Sequence, residues 1–261
     1  MLPKDVKILY FYSVNRLWSF MSAPYMFVLF IISKTVRLTL FILLLVSLFH
    51  GLSNLSGFTR DQMIFFFLCF NMIDTAAQFL FREVYYFRPL LVSGGLDQIL
   101  IKPFNPLVRV LLGGPDFIDC AMLIIMTVIT VWFTASRFHP APLQWLLYFA
   151  LLVNGILLAA GFHIFVLGLG IRVIGVDHLV MIYRDLTALM RIPVDIYVEP
   201  IRFIITYLLP IGIMFTFPAK ALLGLLSLPN IIISFAFAFL LLYLSLIYWR
   251  LSLRHYSSAS S

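Results

Sequence analysis

Long runs without a charged side chain govern what this chain can fold into. Between Arg37 and Arg60 lie 22 residues free of Asp, Glu, Lys and Arg, between Asp119 and Arg137 lie 17, and between Arg137 and Arg172 lie 34. A further 17 separate Arg202 from Lys220, and 29 separate Lys220 from Arg250. A helix that crosses a bilayer needs about 20 apolar residues, with about 17 as the lower bound. The stretch from Gln62 to Phe81 makes a sixth run, interrupted only by Asp74. Of the 261 residues, 63% are hydrophobic and 11% charged, where a soluble domain carries about 25% charged residues. So few charges could not cover so much apolar surface in water. The chain reads as an all-α polytopic membrane protein.

The runs predict spans near 36–52, 62–81, 117–136, 142–171, 200–217 and 229–249. The 34-residue interval is too short for two crossings with a turn, so it reads as one long helix. Orientation follows from the excess of Lys and Arg on cytoplasmic loops. With six spans and both termini cytoplasmic, 15 basic residues lie inside, against Arg60, Arg137 and Lys220 outside. Treating 17–33 as a seventh span reduces the contrast to 12 against 6. Residues 4–33 therefore read as an interfacial segment, with Tyr10, Tyr12 and Trp18 at headgroup level. No small-residue cleavage site marks it as a secretory signal. Connections 82–116 and 172–199 then fall in the cytosol, and the short ones, 53–61, 137–141 and 218–228, outside. With no linker and no clear internal repeat, 1–261 reads as a single domain in the cell (inner) membrane.

Motifs for chemistry are missing. The sequence has no G-x-x-x-x-G-K-[ST] nucleotide loop, no H-E-x-x-H, no G-x-S-x-G and no C-x-x-C. Cys69 and Cys120 cannot alone make a disulfide framework or a four-ligand zinc site. The net charge of +7 is scattered between apolar runs and forms no nucleic-acid patch. No catalytic, cofactor-binding or metal-binding residue is expected. Within the second span, Asn71, Asp74 and Gln78 recur at i, i+3 and i+7 and share one helical face. Two readings stand: a polar strip lining a translocation path or subunit seam, or a self-satisfied set of interhelical hydrogen bonds. His163, among Gly155, Gly161, Gly168 and Gly170, reads as a hydrogen-bonded imidazole in a packed seam. The 82–116 connection mixes apolar residues with Glu83, Arg88, Asp97 and Lys102. Its Gly and Pro residues break it into short helical pieces that either rest on headgroups or dock a cytosolic protein.

The stretch Gly94-Gly95-Leu96-Asp97-Gln98-Ile99-Leu100-Ile101-Lys102-Pro103, followed by Asn105-Pro106, resembles the G-x-L-D-x-x-L-x-[KR]-P pattern of bacterial ABC-2-type permeases, in a branch of six-span proteins. Two further blocks agree in order. One is Arg191-Ile192-Pro193, Tyr197, Arg202, Leu209-Pro210, Pro218 and Leu222-Leu223-Gly224. The other is Trp249-Arg250, Leu253-Arg254 and Tyr256-Ser257-Ser258-Ala259-Ser260. The resemblance implies the transmembrane subunit of an ABC exporter, itself no enzyme. ATP would be bound by a separate ATPase subunit, and a second homologous permease would act beside this one. It further implies an elbow helix within 4–33 and a cytoplasmic coupling helix within 82–116, carrying Glu83, Arg88, Asp97 and Lys102 as ATPase-docking residues. A short re-entrant element is implied around 218–228. The implied cargo is an amphipathic or cationic compound or a lipid. The competing function is a secondary transporter or channel using Asp74, which would be expected to show more intramembrane acids or an inverted repeat.

Overall fold

The computed structural model describes residues 4–22, 24–173 and 176–257; Ser258, Ala259 and Ser260 of the last resemblance block lie outside them. Among the described residues there is no strand beyond one isolated bridge, Leu55 with Phe58, and nearly everything else is helix. The helices are α1 (Lys4–Met21), α2 (Pro24–Leu48), α3 (Arg60–Phe81), α4 (Phe87–Val92), α5 (Gly95–Leu100), α6 (Pro106–Leu112) and α7 (Phe117–Arg137). They continue with α8 (Pro142–Val173), α9 (Val176–Ala188), α10 (Ile201–Phe203), α11 (Ile211–Leu222) and α12 (Leu228–Arg254). Among the described residues, five helical segments are long and apolar enough to cross a membrane, or six if one bent pair counts as a span.

Local chemistry sets the helix starts. Thr59 accepts from the Gln62 amide while the Gln62 side chain accepts from the Thr59 amide at 2.9 Å, a reciprocal cap that satisfies two free donors of α3. Asn105 caps α6 ahead of Pro106, and Asp116 caps α7 through the Ile118 amide at 3.0 Å. The second helix departs from expectation: it runs unbroken from Pro24. Proline is tolerated in the first turn, so residues 24–33 continue into the apolar run instead of ending before it.

The bundle has two ends. At one lie Thr59, Arg137, Gln144 and Asn230; Arg137 reaches Asp61 at 3.7 Å. At the other lie Arg82 and Asp116, 3.4 Å apart, and Arg172 with Ser252, 3.3 Å apart. The long α8 runs parallel to α12. The Asn154 amide donates to Ser234 Oγ at 2.7 Å, while Gly161 and Gly168 face Leu241 and Tyr248 so closely that an added Cβ would stand 2.9 Å from each. Small residues permit that approach where lipid supplies no hydrophobic drive to pair helices. Gly155 does the same against α11, whose Met214 carbonyl oxygen a Cβ would meet at 2.8 Å. The core also takes in the phenylalanines of α3, with Phe65 and Phe66 buried and Phe41 of α2 stacked on Phe67 at 4.2 Å.

The run expected as a fifth span, 200–217, is sharply bent. Residues Ile201–Leu208 and Ile211–Leu222 meet at 90°, with a π-helical stretch over Ile204–Leu208 before Pro210. Proline withholds a backbone donor and breaks the ladder at this point. Both arms belong to the same end of the bundle. Glu199 and Arg202 lie in a cavity shared with Lys220 and Asn230, and Gly224 abuts Gln144. Lys220 Nζ donates to Asp195 at 2.6 Å. That bond overturns the expectation that 172–199 and 218–228 lie on opposite sides. The chain traverses the bundle earlier, through α9 and the 3-10 turns Leu189–Arg191 and Val194–Ile196. Twenty-one residues at about 1.5–2.0 Å each cover about 30–40 Å, and the charges of α9 hide that course from a hydropathy reading.

Candidate functional site

Helix α3 presents Asn71, Asp74 and Gln78 to a cavity of about 210 Å³ formed with α2 and α9. Gln78 Nε2 donates to Asp74 Oδ2 at 2.7 Å, and the Asn71 amide donates back to the Phe67 carbonyl at 2.8 Å. The three expected residues therefore share one surface, each half-buried, and part of their hydrogen bonding is met within α3. The opposite wall carries residues that the sequence reading had counted as bases in cytosolic connections: Arg184 and Arg191, with Asp185 between them, and Arg37 from α2. Met181, Arg184, Ala188 and Arg191 recur at helical spacing, which turns them to one side. That periodicity is the signal by which they could have been found.

Toward the end of the bundle that holds Asp116, charges are paired. Lys34 of α2 donates to the fully buried Asp119 of α7, and Arg82 meets Asp116. Glu83 joins three segments: Arg16 of α1 donates to it at 2.9 Å and Arg109 of α6 at 2.6 Å. Burial opposes the charge on Arg109, but the hydrogen bond and charge of Glu83, joined by a hydrogen bond with Tyr12, outweigh it and raise its pKa above the usual value; the Tyr12 ring also lies 4.2 Å from its guanidinium carbon. Glu83 thus faces inward, 11% exposed, and does not present a free carboxylate.

The other expected docking residues are placed differently. Arg88 is 53% exposed and reaches Asp177 at 3.0 Å. Asp97 lies in α5 against Tyr256, whose hydroxyl is pushed up by burial and by that carboxyl. Lys102 is exposed next to Ile101, which is 84% exposed. Gly94, at φ +70°, makes the turn that projects α5. Leu100 and Ile101 were overlooked in favour of charged residues, though an exposed isoleucine at a helix end is the larger signal.

His163 is buried, its Nδ1 2.7 Å from the Ala159 carbonyl oxygen and its ring between Phe81 and Tyr183, a packed position. Cys69 is buried against Tyr148, 3.5 Å away, and among the described residues no group of three His, Cys, Asp or Glu could hold a metal.

The chain is thus a multi-pass helical membrane protein with a charged cavity between its helices. The chain is a member of the ABC-2 transporter family: the sequence model described as ABC-2 family transporter protein matches residues 35–260. Membership makes it an ABC-2-type permease and implies an ABC ATPase partner. The match begins within α2 and takes in the cavity and the 82–116 connection. Comparison with curated proteins and with solved structures gives no match.

Proposed function

We propose that this permease is the membrane half of an ATP-driven exporter, in which a separate ATPase supplies the energy and a second homologous permease completes the pathway. The observation that carries the reading is the family match over residues 35–260 in a chain with no nucleotide loop of its own. The cargo is an amphipathic compound or lipid moved out of the cytoplasm across the inner membrane. Both termini face the cytosol. Six crossings result when α9 with its following turns is one of them and the bent pair enters and leaves at the outer end. Moving Arg37, Arg184 and Arg191 into the membrane and Arg202 outside leaves eleven cytosolic bases against four external, so the charge rule still favours this orientation.

In this arrangement α1 is the elbow helix, with exposed Tyr10, Phe11 and Trp18 suited to the headgroup level. The projection around α5 is the coupling helix, offering Ile101, Lys102 and Arg88 to the ATPase. The Asn71–Asp74–Gln78 face lies on the translocation path at the seam between permeases. Asp74 and its charged surroundings also suit a secondary carrier, and the two readings separate on energy source. Affinity purification tests the assembly: an ABC ATPase and a second six-span permease should elute with this chain, and its recovery alone under mild detergent would count against the complex.

A further inference from the structure

We propose that the cavity between α2, α3 and α9 binds an anionic amphiphile, an acyl chain carrying one phosphate or carboxylate, and selects that class as cargo. Three guanidinium groups, Arg37, Arg184 and Arg191, line the cavity. Among the described residues none of them makes an ion pair or a side-chain hydrogen bond, although seven other arginines do make ion pairs. The facing acids are Asp74 and Asp185, and Asp74 already accepts from Gln78. Cations thus exceed carboxylates. An adjoining cavity of about 230 Å³ shares Arg37 and Arg184 and adds Lys34 and Arg82, which Asp119 and Asp116 already neutralise, so the unpaired guanidinium groups remain those of Arg37, Arg184 and Arg191.

Arginines at this depth are expensive unless they meet an anion. Their planar donors match the two oxygens of a phosphate or carboxylate. A second feature fixes the rest of the ligand. At Arg37 and Phe41 the polar cavity opens into an apolar groove of about 370 Å³ along α2, lined by Val36, Leu40 and Leu44. From Arg37 to Leu44 the helix rises about 10 Å, room for the first part of an alkyl chain whose head sits among the arginines. A free inorganic anion would leave that groove unused, and a cationic amphiphile would put like charges together.

Binding is tested on the purified transporter complex without ATP, in nanodiscs of phosphatidylcholine. The probes are dodecyl phosphate, dodecyltrimethylammonium and inorganic phosphate. Dodecyl phosphate should bind at least about ten-fold more tightly than the ammonium compound, and the double variant R37Q/R184Q should lose about ten-fold or more, the equivalent of one or two charge-assisted contacts. R60Q, at the other end of the bundle, should change nothing. Inorganic phosphate should displace the probe from the unaltered protein only at far higher concentration, a readout that stands if the double variant misfolds. Equal affinity for the ammonium compound, or displacement by inorganic phosphate at matching concentration, overturns the proposal. Loss of the probe when phosphatidylglycerol is added to the nanodisc identifies the anion as the bilayer's own lipid; retention identifies a separate amphiphile. The proposal rests on the exporter reading only for the ligand being cargo. Binding without ATP-driven transport would sink that reading and leave the site standing.

Discussion

Lys220 and Asp195 are joined by a 2.6 Å ion pair, although an apolar run of 17 residues lies between Arg202 and Lys220. A run of that length would be expected to carry the chain across the bilayer, yet its two ends return to one level. The fold achieves this with the 90° bend at Leu209 and Pro210, inside protein. Every residue from Ile211 to Ala219 is buried, the condition under which broken helices are tolerated at membrane depth.

This relationship predicts labelling from a single side. With Cys69 and Cys120 replaced by Ser, V198C and L225C should both react with a membrane-impermeant maleimide added to intact cells. Reaction of only one of the two would place the ends of the bent pair on opposite sides.

The six long apolar runs were legible because hydropathy reports them directly. The course of α9 was not, because its Asp177, Arg184 and Asp185 make it read as part of a cytosolic connection. What licenses those charges at depth is the cavity they share with Asp74 and Arg37, a tertiary fact. The Asn71–Asp74–Gln78 face could be read from i, i+3, i+7 spacing alone. Its partners come from helices far off in sequence. Glu83 reads as a docking residue from its place in the 82–116 connection and from the family resemblance; that Arg16 and Arg109 turn its carboxylate inward is a tertiary fact no spacing reports.

That inward position predicts a split between Glu83 and Ile101. Replacing Glu83 by Gln releases Arg16 of α1 and Arg109 of α6, and should destabilise the protein by about 1–3 kcal/mol, the range for losing charge-assisted hydrogen bonds in a partly buried site. Limited proteolysis should then cut after residues of α1 sooner, and thermal unfolding in detergent should start lower. Unchanged digestion and melting would show that Glu83 does not hold α1.

The exposed end of α5 behaves oppositely. The pair I101D/K102E should weaken capture of the ATPase by about ten-fold or more while leaving the unfolding temperature unchanged, since Ile101 is 84% exposed. Full ATPase recovery from such a variant would remove the docking role from this segment.

The α8–α12 seam carries the fold. Asn154→Ala forfeits the bond to Ser234 and should cost about 0.6–1.7 kcal/mol, the span measured for interhelical hydrogen bonds in membranes. Gly168→Leu, which drives a side chain into Tyr248, should cost about 1–3 kcal/mol by overpacking. Chemical unfolding in mixed micelles reads both, and a Gly168→Leu protein as stable as the original would contradict the close approach of these helices.

Transport through this permease is proposed to run on another subunit's ATP hydrolysis. Inverted vesicles containing this chain, the second permease and the ATPase should accumulate a fluorescent alkyl phosphate only when ATP is supplied. Uptake should vanish when the P-loop lysine of the ATPase is replaced, and should persist when the proton gradient is dissipated at constant ATP. Uptake that continues without ATP and follows an imposed pH gradient would contradict the account and make Asp74 the coupling group of a secondary carrier.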